Sequence, residues 1–198
     1  MGKGEETREM ILDAALAQAS EAGFESLTIG SLANQTGLSK SGLFAHFGSR
    51  EELQIATLDH AARRFTDTVI TPALKEARGL PRVQALFNRW LDWTRSSELG
   101  FGCPLHAAAL EFDDRPGRVR DHIVAHFERL EAALERALAL ASETGQLRQG
   151  MDLQQMSFEI LGIIFSYYHR ARLLQRPDAA KRAVTAFDRL LATALPTR

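Results

Sequence analysis

The sequence has little cysteine and few β-branched apolar residues. Cys103 is the only cysteine, which excludes an intrachain disulfide and a cysteine-rich zinc site. The 198 residues include 8 Ile and 5 Val against 29 Ala and 27 Leu. Because alanine and leucine favour helices while β-branched residues favour strands, this balance predicts an all-α chain and argues against a parallel sheet.

Long apolar runs are also missing. The longest stretch without a charged side chain, Ser26 to Ser39, is short and contains polar residues and glycines, so we expect no membrane-spanning segment. The first residues, Met1 to Glu6, lack the apolar segment of a signal peptide, and Glu6 stands where myristoylation needs Ser or Thr. We therefore expect a cytoplasmic protein, in keeping with its single cysteine.

An excess of positive charge is absent too, but the distribution of charge is informative. The net charge is −1, so composition alone does not indicate a nucleic-acid-binding protein. Residues 1–53 carry 4 basic and 8 acidic side chains, yet the window from Thr28 to Arg50 contains no acid at all. A surface that approaches DNA phosphates needs such an acid-free window.

Apolar residues at helical spacing, together with capping residues, predict nine helices and no internal repeat. They are expected at Thr7 to Ala22, from Thr28 to Gly37, from Ser39 to Gly48, from Ser49 towards Pro72, at Val83 to Trp93, at Leu105 to Phe112, from Val119 towards Gly145, at Leu153 to Leu174, and from Asp178 through Leu191. The predicted division is a small three-helix domain over residues 1–48 and a larger helical domain over residues 49–198.

The two short helices that flank Gly37 indicate a helix-turn-helix, whose second helix enters the DNA major groove by its N-terminal end. That end carries Lys40 and Ser41, which offer hydrogen bonds to base edges, and Gly42, which permits close approach of the backbone. We expect Phe44 to face outward onto DNA. Phosphate contacts are predicted for a further set: Thr28, His46 and Arg50.

The segment Thr28 to Leu53 resembles the signature of the TetR family of transcriptional repressors over its whole length. The matching positions include Thr28, Ile29, Ala33, Gly37, Ser39, Gly42, His46, Phe47, Glu51, Glu52 and Leu53. The resemblance implies the same DNA contacts that the residues predict. Two positions depart from the family pattern, since Phe44 replaces the usual Tyr and Arg50 replaces the usual Lys.

The resemblance also implies that the larger domain binds a small effector, whose identity stays open, and that the last two helices form a homodimer. The sequence indicates an apolar or aromatic effector, with these candidate lining residues: Phe65, Trp90, Trp93, Phe101, Cys103, His106, Phe112, His126, Phe127, Phe158 and Phe165. Candidate interface residues are Leu161, Phe165, Tyr168, Val184, Phe187 and Leu191. No cofactor and no metal are expected.

The function expected from these features is release of a palindromic double-stranded operator when the effector binds. An enzyme is disfavoured, because no nucleophile elbow, phosphate-binding loop or zinc-protease motif is present. Two alternatives stay open. One is a helical module that binds another protein, and the other is a metal-responsive regulator that uses Cys103 and His106.

Overall fold

A computed structural model describes residues 2–95 and 102–196, with Lys3 described in its backbone only. Over these residues the chain is helical and contains no strand, which confirms the predicted all-α class. Within this described part of the chain, nine main helices follow one another: α1 Lys3–Ala22, α2 Ile29–Thr36, α3 Lys40–Phe47, α4 Arg50–Phe65, α5 Leu80–Arg95, α6 Pro104–Phe112, α7 Arg118–Glu143, α8 Leu153–Tyr168 and α9 Ala179–Ala194.

Short elements connect or extend the main helices. A 3-10 turn, Phe24–Ser26, lies between α1 and α2. Two π turns, Thr66–Ile70 and His169–Leu173, continue α4 and α8. A last helical turn at Thr71–Ala73 contains Pro72, so α4 is distorted and ends where the sequence predicts.

Capping side chains begin α2, α3 and α8 where the sequence predicts. Thr28 Oγ1 accepts from Ser31 N at 3.0 Å, and Ser39 Oγ accepts from Gly42 N at 3.0 Å. Asp152 Oδ1 accepts from Gln155 N at 2.9 Å. Each cap satisfies a backbone N–H that has no partner within the helix.

The helices pack into two compact units. The first comprises Met1–Arg64 and Ser96–Phe127, so it contains α1 to α3, most of α4, α6 and the beginning of α7. Its core is mainly aliphatic and also contains the rings of Phe24, Phe47 and Phe112. The fully buried residues include Ile11, Leu12, Leu27, Leu32, Leu43, Leu53 and Leu58. The predicted division at residue 48 stays a prediction, because compactness does not define which part binds DNA.

The second unit comprises Phe65–Arg95 and Glu128–Arg198. Aromatic rings lie among the aliphatic residues of its core: Phe65 lies edge-on to Trp90 and Trp93, with centroid distances of 5.0 and 5.6 Å. Phe87 of α5 stacks on Phe187 of α9 at 3.9 Å. Each of these buried rings removes a large apolar surface from water.

Candidate nucleic-acid interface

The α2–turn–α3 segment has the geometry of a helix-turn-helix. Gly37 occupies the left-handed region at φ 70°, a conformation that glycine adopts without steric cost, and so ends α2. Leu32 and Ala33 of α2 and Leu43 and Phe47 of α3 are buried. Burial of these four side chains fixes which face of α3 turns outward.

The outward face of α3 carries the residues that the sequence assigns to the major groove. Lys40, Ser41 and Gly42 are exposed, and the Phe44 ring is 58% exposed. Ser39 Oγ lies 3.1 Å from Ser41 Oγ. The face therefore presents one cation, hydroxyl groups and an apolar ring, with no carboxylate from Thr28 to Arg50 to repel a phosphate.

His46 lies at the edge of this face and is half-buried. Its ring lies 6.2 Å from that of Phe47, and both residues line a small cleft of about 170 Å³. The Arg8 guanidinium, which lies 5.2 Å from the centre of the Phe47 ring, also lines the cleft. Arg8 comes from α1 and not from the motif, and charged residues of α4, Glu52, Asp59 and Arg63, complete the polar lining of the cleft.

Thr28 and Arg50, the two other predicted phosphate contacts, both take part in local structure. Thr28 is exposed and caps α2. Arg50 Nε donates to Leu27 O at 2.9 Å, and the guanidinium forms an ion pair with Glu25 at 3.1 Å. The arginine thus holds the turn that precedes α2, a role that the sequence did not predict.

A polar cluster that sequence reasoning missed joins α1 to α4. His60 is 7% exposed, and its Nε2 lies 2.8 Å from Asp13 Oδ1. Its Nδ1 lies 3.3 Å from Glu9 Oε2. No motif in the sequence indicates this pairing, because the partners are about fifty residues apart.

Among the effector candidates, Phe65, Trp90 and Trp93 form the aromatic cluster of the second unit and are each at most 7% exposed. Trp93 Nε1 is buried and has no hydrogen-bond partner among the described residues. Phe165, also in this unit, is half-buried. Phe158 is 72% exposed, so its ring lies on the surface of α8 and not in a cavity of the protomer.

The remaining effector candidates fall in the first unit. Cys103 and Phe112 are buried at the two ends of α6, and Phe127 is half-buried. Burial lowers the pKa of His106 from its ordinary 6.5. His126 Nε2 lies 3.0 Å from Asp59 Oδ1, so this histidine links α7 to α4.

Phe101, the last effector candidate, lies outside the described residues. Within residues 2–95 and 102–196, no three His, Cys, Asp or Glu side chains come together as metal ligands. In the same part of the chain, no helix combines the length and the apolar character that crossing a bilayer demands.

The dimer candidates divide between the core and the surface of the second unit. Phe187 is 3% exposed and stacks on Phe87, so its ring belongs to the core of its own protomer. Leu161 and Leu191 are likewise 7% exposed. Phe187 and Leu191 are both buried because residues four positions apart lie on the same face of a helix, and this face of α9 packs inward. Val184 is exposed, whereas Phe165 and Tyr168 are half-buried.

A groove of about 700 Å³ runs along α8 and α9. Six of its thirteen lining residues are small and four are charged, and Gly162 has open space where a Cβ would be. The lining residues are Glu159, Gly162, Ile163, Ser166, Tyr167, Arg170, Ala179, Arg182, Ala183, Ala186, Arg189, Leu190 and Thr193. None of the six candidate interface residues from the sequence lies in this lining.

Two family models match the chain. Residues 11–57 match "Bacterial regulatory proteins, tetR family", and residues 79–187 match "Tetracyclin repressor-like, C-terminal domain". The second match alone covers more than half of the sequence. The chain therefore belongs to the TetR family of transcriptional regulators, as its helix-turn-helix signature predicts.

Solved structures share the fold at low sequence identity. A TetR transcriptional regulator from Chloroflexus aurantiacus is 24% identical with a TM-score of 0.84, covering 97% of this chain and 96% of that one. AibR, in complex with isovaleryl coenzyme A and operator DNA, is 21% identical with a TM-score of 0.69, covering 96% and 98%. The ketosteroid regulator KstR2 of Mycobacterium tuberculosis is 18% identical with a TM-score of 0.67, covering 96% of each. No curated protein matched the sequence.

Proposed function

We propose that this protein is a homodimeric repressor that releases a partly palindromic operator when a small molecule binds. The observation that carries the proposal is the exposed N-terminal end of α3, which presents Lys40 in a segment free of acidic residues. A catalytic role is not proposed. Among proteins of this fold, AibR was solved with both isovaleryl coenzyme A and operator DNA. This supports the proposal that the present protein also binds both a small molecule and DNA.

In this proposal the α3 face meets the major groove. Lys40 donates to a guanine edge or a phosphate, and Ser41 contacts a neighbouring base edge. Gly42 allows the backbone to come close, while the Phe44 ring packs on a thymine methyl or on the sugar-phosphate backbone. Thr28 and His46 contact DNA phosphates at the two edges of this α3 face. Arg50 acts through the turn that it holds, because Leu27 and Glu25 already engage its guanidinium.

The groove along α8 and α9 supports dimerisation through these two helices. Small side chains such as Gly162, Ser166 and Ala186 let two helices approach closely, and Ile163 and Leu190 supply apolar contact. A two-fold axis would join two such pairs into a four-helix interface. It would also present two α3 helices about 34–36 Å apart, one turn of DNA.

The proposed effector is apolar or aromatic and carries a hydrogen-bond acceptor. The Phe65, Trp90 and Trp93 cluster provides an apolar surface. The buried Trp93 N–H, which has no partner among the described residues, favours a ligand with a carbonyl or similar oxygen. A ligand that moves this cluster would change the free energy of the DNA-binding conformation and so the affinity for the operator. Operator binding would change the affinity for the ligand by the same factor.

The experiment that tests DNA binding starts by selecting duplexes from a random pool with the wild-type protein. On the selected duplex, Lys40→Ala should weaken binding by about 1–3 kcal/mol and relax the preference at one base pair. Lys75→Ala is the matched control, because Lys75 is an exposed lysine outside the helix-turn-helix. Equal affinity of Lys40→Ala and wild-type protein, or equal weakening by both variants, would contradict the proposed role of α3.

The dimer is tested separately by a charge placed in the groove. Ala186 is exposed and lines the groove, so Ala186→Glu should convert the dimer to a monomer at micromolar concentration. Ala132→Glu, at an exposed helical alanine of α7, is the control. Sedimentation or light scattering gives the mass. A wild-type monomer that binds the selected duplex fully, or an Ala186→Glu dimer, would refute the interface.

A further inference from the structure

Glu111, near the end of α6, contacts the turn between α1 and α2. Its Oε2 accepts from Phe24 N at 2.8 Å, and its Oε1 accepts from Glu25 N at 2.7 Å. Both carboxylate oxygens therefore bind the first amides of the 3-10 turn Phe24–Ser26, which have no partner inside the turn. All these residues belong to the first unit.

Gly23 makes room for this carboxylate. Its φ of +84° lies in the left-handed region, and a Cβ at this position would lie 3.1 Å from Glu111 Oε2. The carboxylate thus rests directly against the backbone of the glycine. Gly23 and Glu111, which are 88 positions apart in the sequence, therefore lie in contact.

The same turn is held from its other side by α4. Gln54 Nε2 donates to Phe24 O at 2.9 Å, and Arg50 Nε donates to Leu27 O at 2.9 Å. The amides of the turn are thus bound by α6 and its carbonyls by α4. Thr28, the N-cap of α2, follows Leu27 directly.

We propose that Glu111 is a positioning residue that couples α6 to the helix-turn-helix through the amides of Phe24 and Glu25. A displacement of α6 pulls on the turn and on the first residue of α2, against the hydrogen bonds from Gln54 and Arg50 that tie the turn to α4. Loss of the carboxylate uncouples α6 from the DNA-binding segment. The inference rests on the proposed function, since it concerns how the DNA-binding surface is held.

The contact itself is tested on the free protein, without DNA. Amide hydrogen exchange of Phe24 and Glu25, followed by NMR, should be about tenfold or more faster in Glu111→Ala than in wild type. Glu111→Gln keeps one acceptor oxygen, so its exchange should fall between the two. Asp114→Ala removes a nearby exposed acid and should leave both amides unchanged. Unchanged exchange in Glu111→Ala would overturn the proposal.

The coupling is tested through Cys103, the only cysteine, which is 6% exposed at the start of α6. A thiol reagent reaches it when α6 opens. In wild type and in Asp114→Ala, adding the selected duplex should slow the modification of Cys103 by about fivefold or more. In Glu111→Ala, the duplex should slow it by less than about twofold. Equal slowing in all three proteins, or none in wild type, would overturn the coupling. If wild type selects no duplex, the proposed function and the coupling both fail, while amide exchange still decides the contact.

Discussion

The contacts that link helices differ between the two units of the molecule, although buried apolar side chains form the core of each. In the first unit, polar and charged side chains join separate helices: His60 contacts Asp13, His126 contacts Asp59, and Arg118 forms an ion pair with Glu52. In the described part of the second unit, the ion pairs Asp92–Arg95 and Asp178–Arg182 are local, and stacked or edge-on rings join the helices.

This difference suits the proposed roles of the two units. A hydrogen-bonded ion pair has a preferred distance and angle, so polar links between helices fix their orientation. A DNA-binding segment needs that accuracy, because small displacements of α3 change its fit to the groove. Apolar contacts are less directional, and aromatic side chains are among those that most often line sites for small molecules.

The largest effect should come from removing a ring of the second unit. Phe87 is 1% exposed and stacks on Phe187, so Phe87→Ala should lower the free energy of unfolding by about 3–5 kcal/mol. Phe44→Ala deletes the same side chain at an exposed position and should change stability little. Chemical denaturation measures both. Similar losses in the two variants would show that the stacked rings are not the main support of this unit.

A smaller effect should come from breaking a polar link of the first unit. His60→Ala should lower the free energy of unfolding by about 1–3 kcal/mol, because it removes the partner of Asp13 and Glu9. A double-mutant cycle with Asp13→Ala isolates the interaction. His169→Ala, at an exposed histidine, is the control. Fully additive losses of His60→Ala and Asp13→Ala would show that the pair does not join α1 to α4.

The smallest effect should be a change in pH dependence. Burial lowers the pKa of His106 below 6.5, so between that value and the lowered one the unfolded chain binds a proton that the folded chain does not. Stability should therefore fall as pH drops below about 6.5, and His106→Gln should reduce this fall. Urea denaturation at several pH values measures it. An identical pH profile in wild type and variant would contradict a lowered pKa for this half-buried imidazole.

Local signals in the sequence predicted the first three helices and their function. Thr28, Gly37 and Ser39 act through neighbours within a few residues, so their capping and turn roles could be inferred. Contacts between distant positions could not. Nothing local ties Glu111 to Phe24, and the exposed or buried side of Phe187 depends on how α9 packs. Large apolar residues were therefore proposed for the dimer interface, whereas none of these six residues lines the groove along α8 and α9.

The most direct test of the proposed DNA-binding surface is hydrogen–deuterium exchange of the full chain with and without the selected duplex. Binding through α3 predicts slower exchange in peptides covering Thr28 to Arg50, with the strongest protection at Lys40 to Phe44. Peptides from the aromatic core around Trp90 and Trp93 should change much less. Tight binding of the duplex with unchanged exchange from Thr28 to Arg50 would contradict the assignment of the DNA-binding surface.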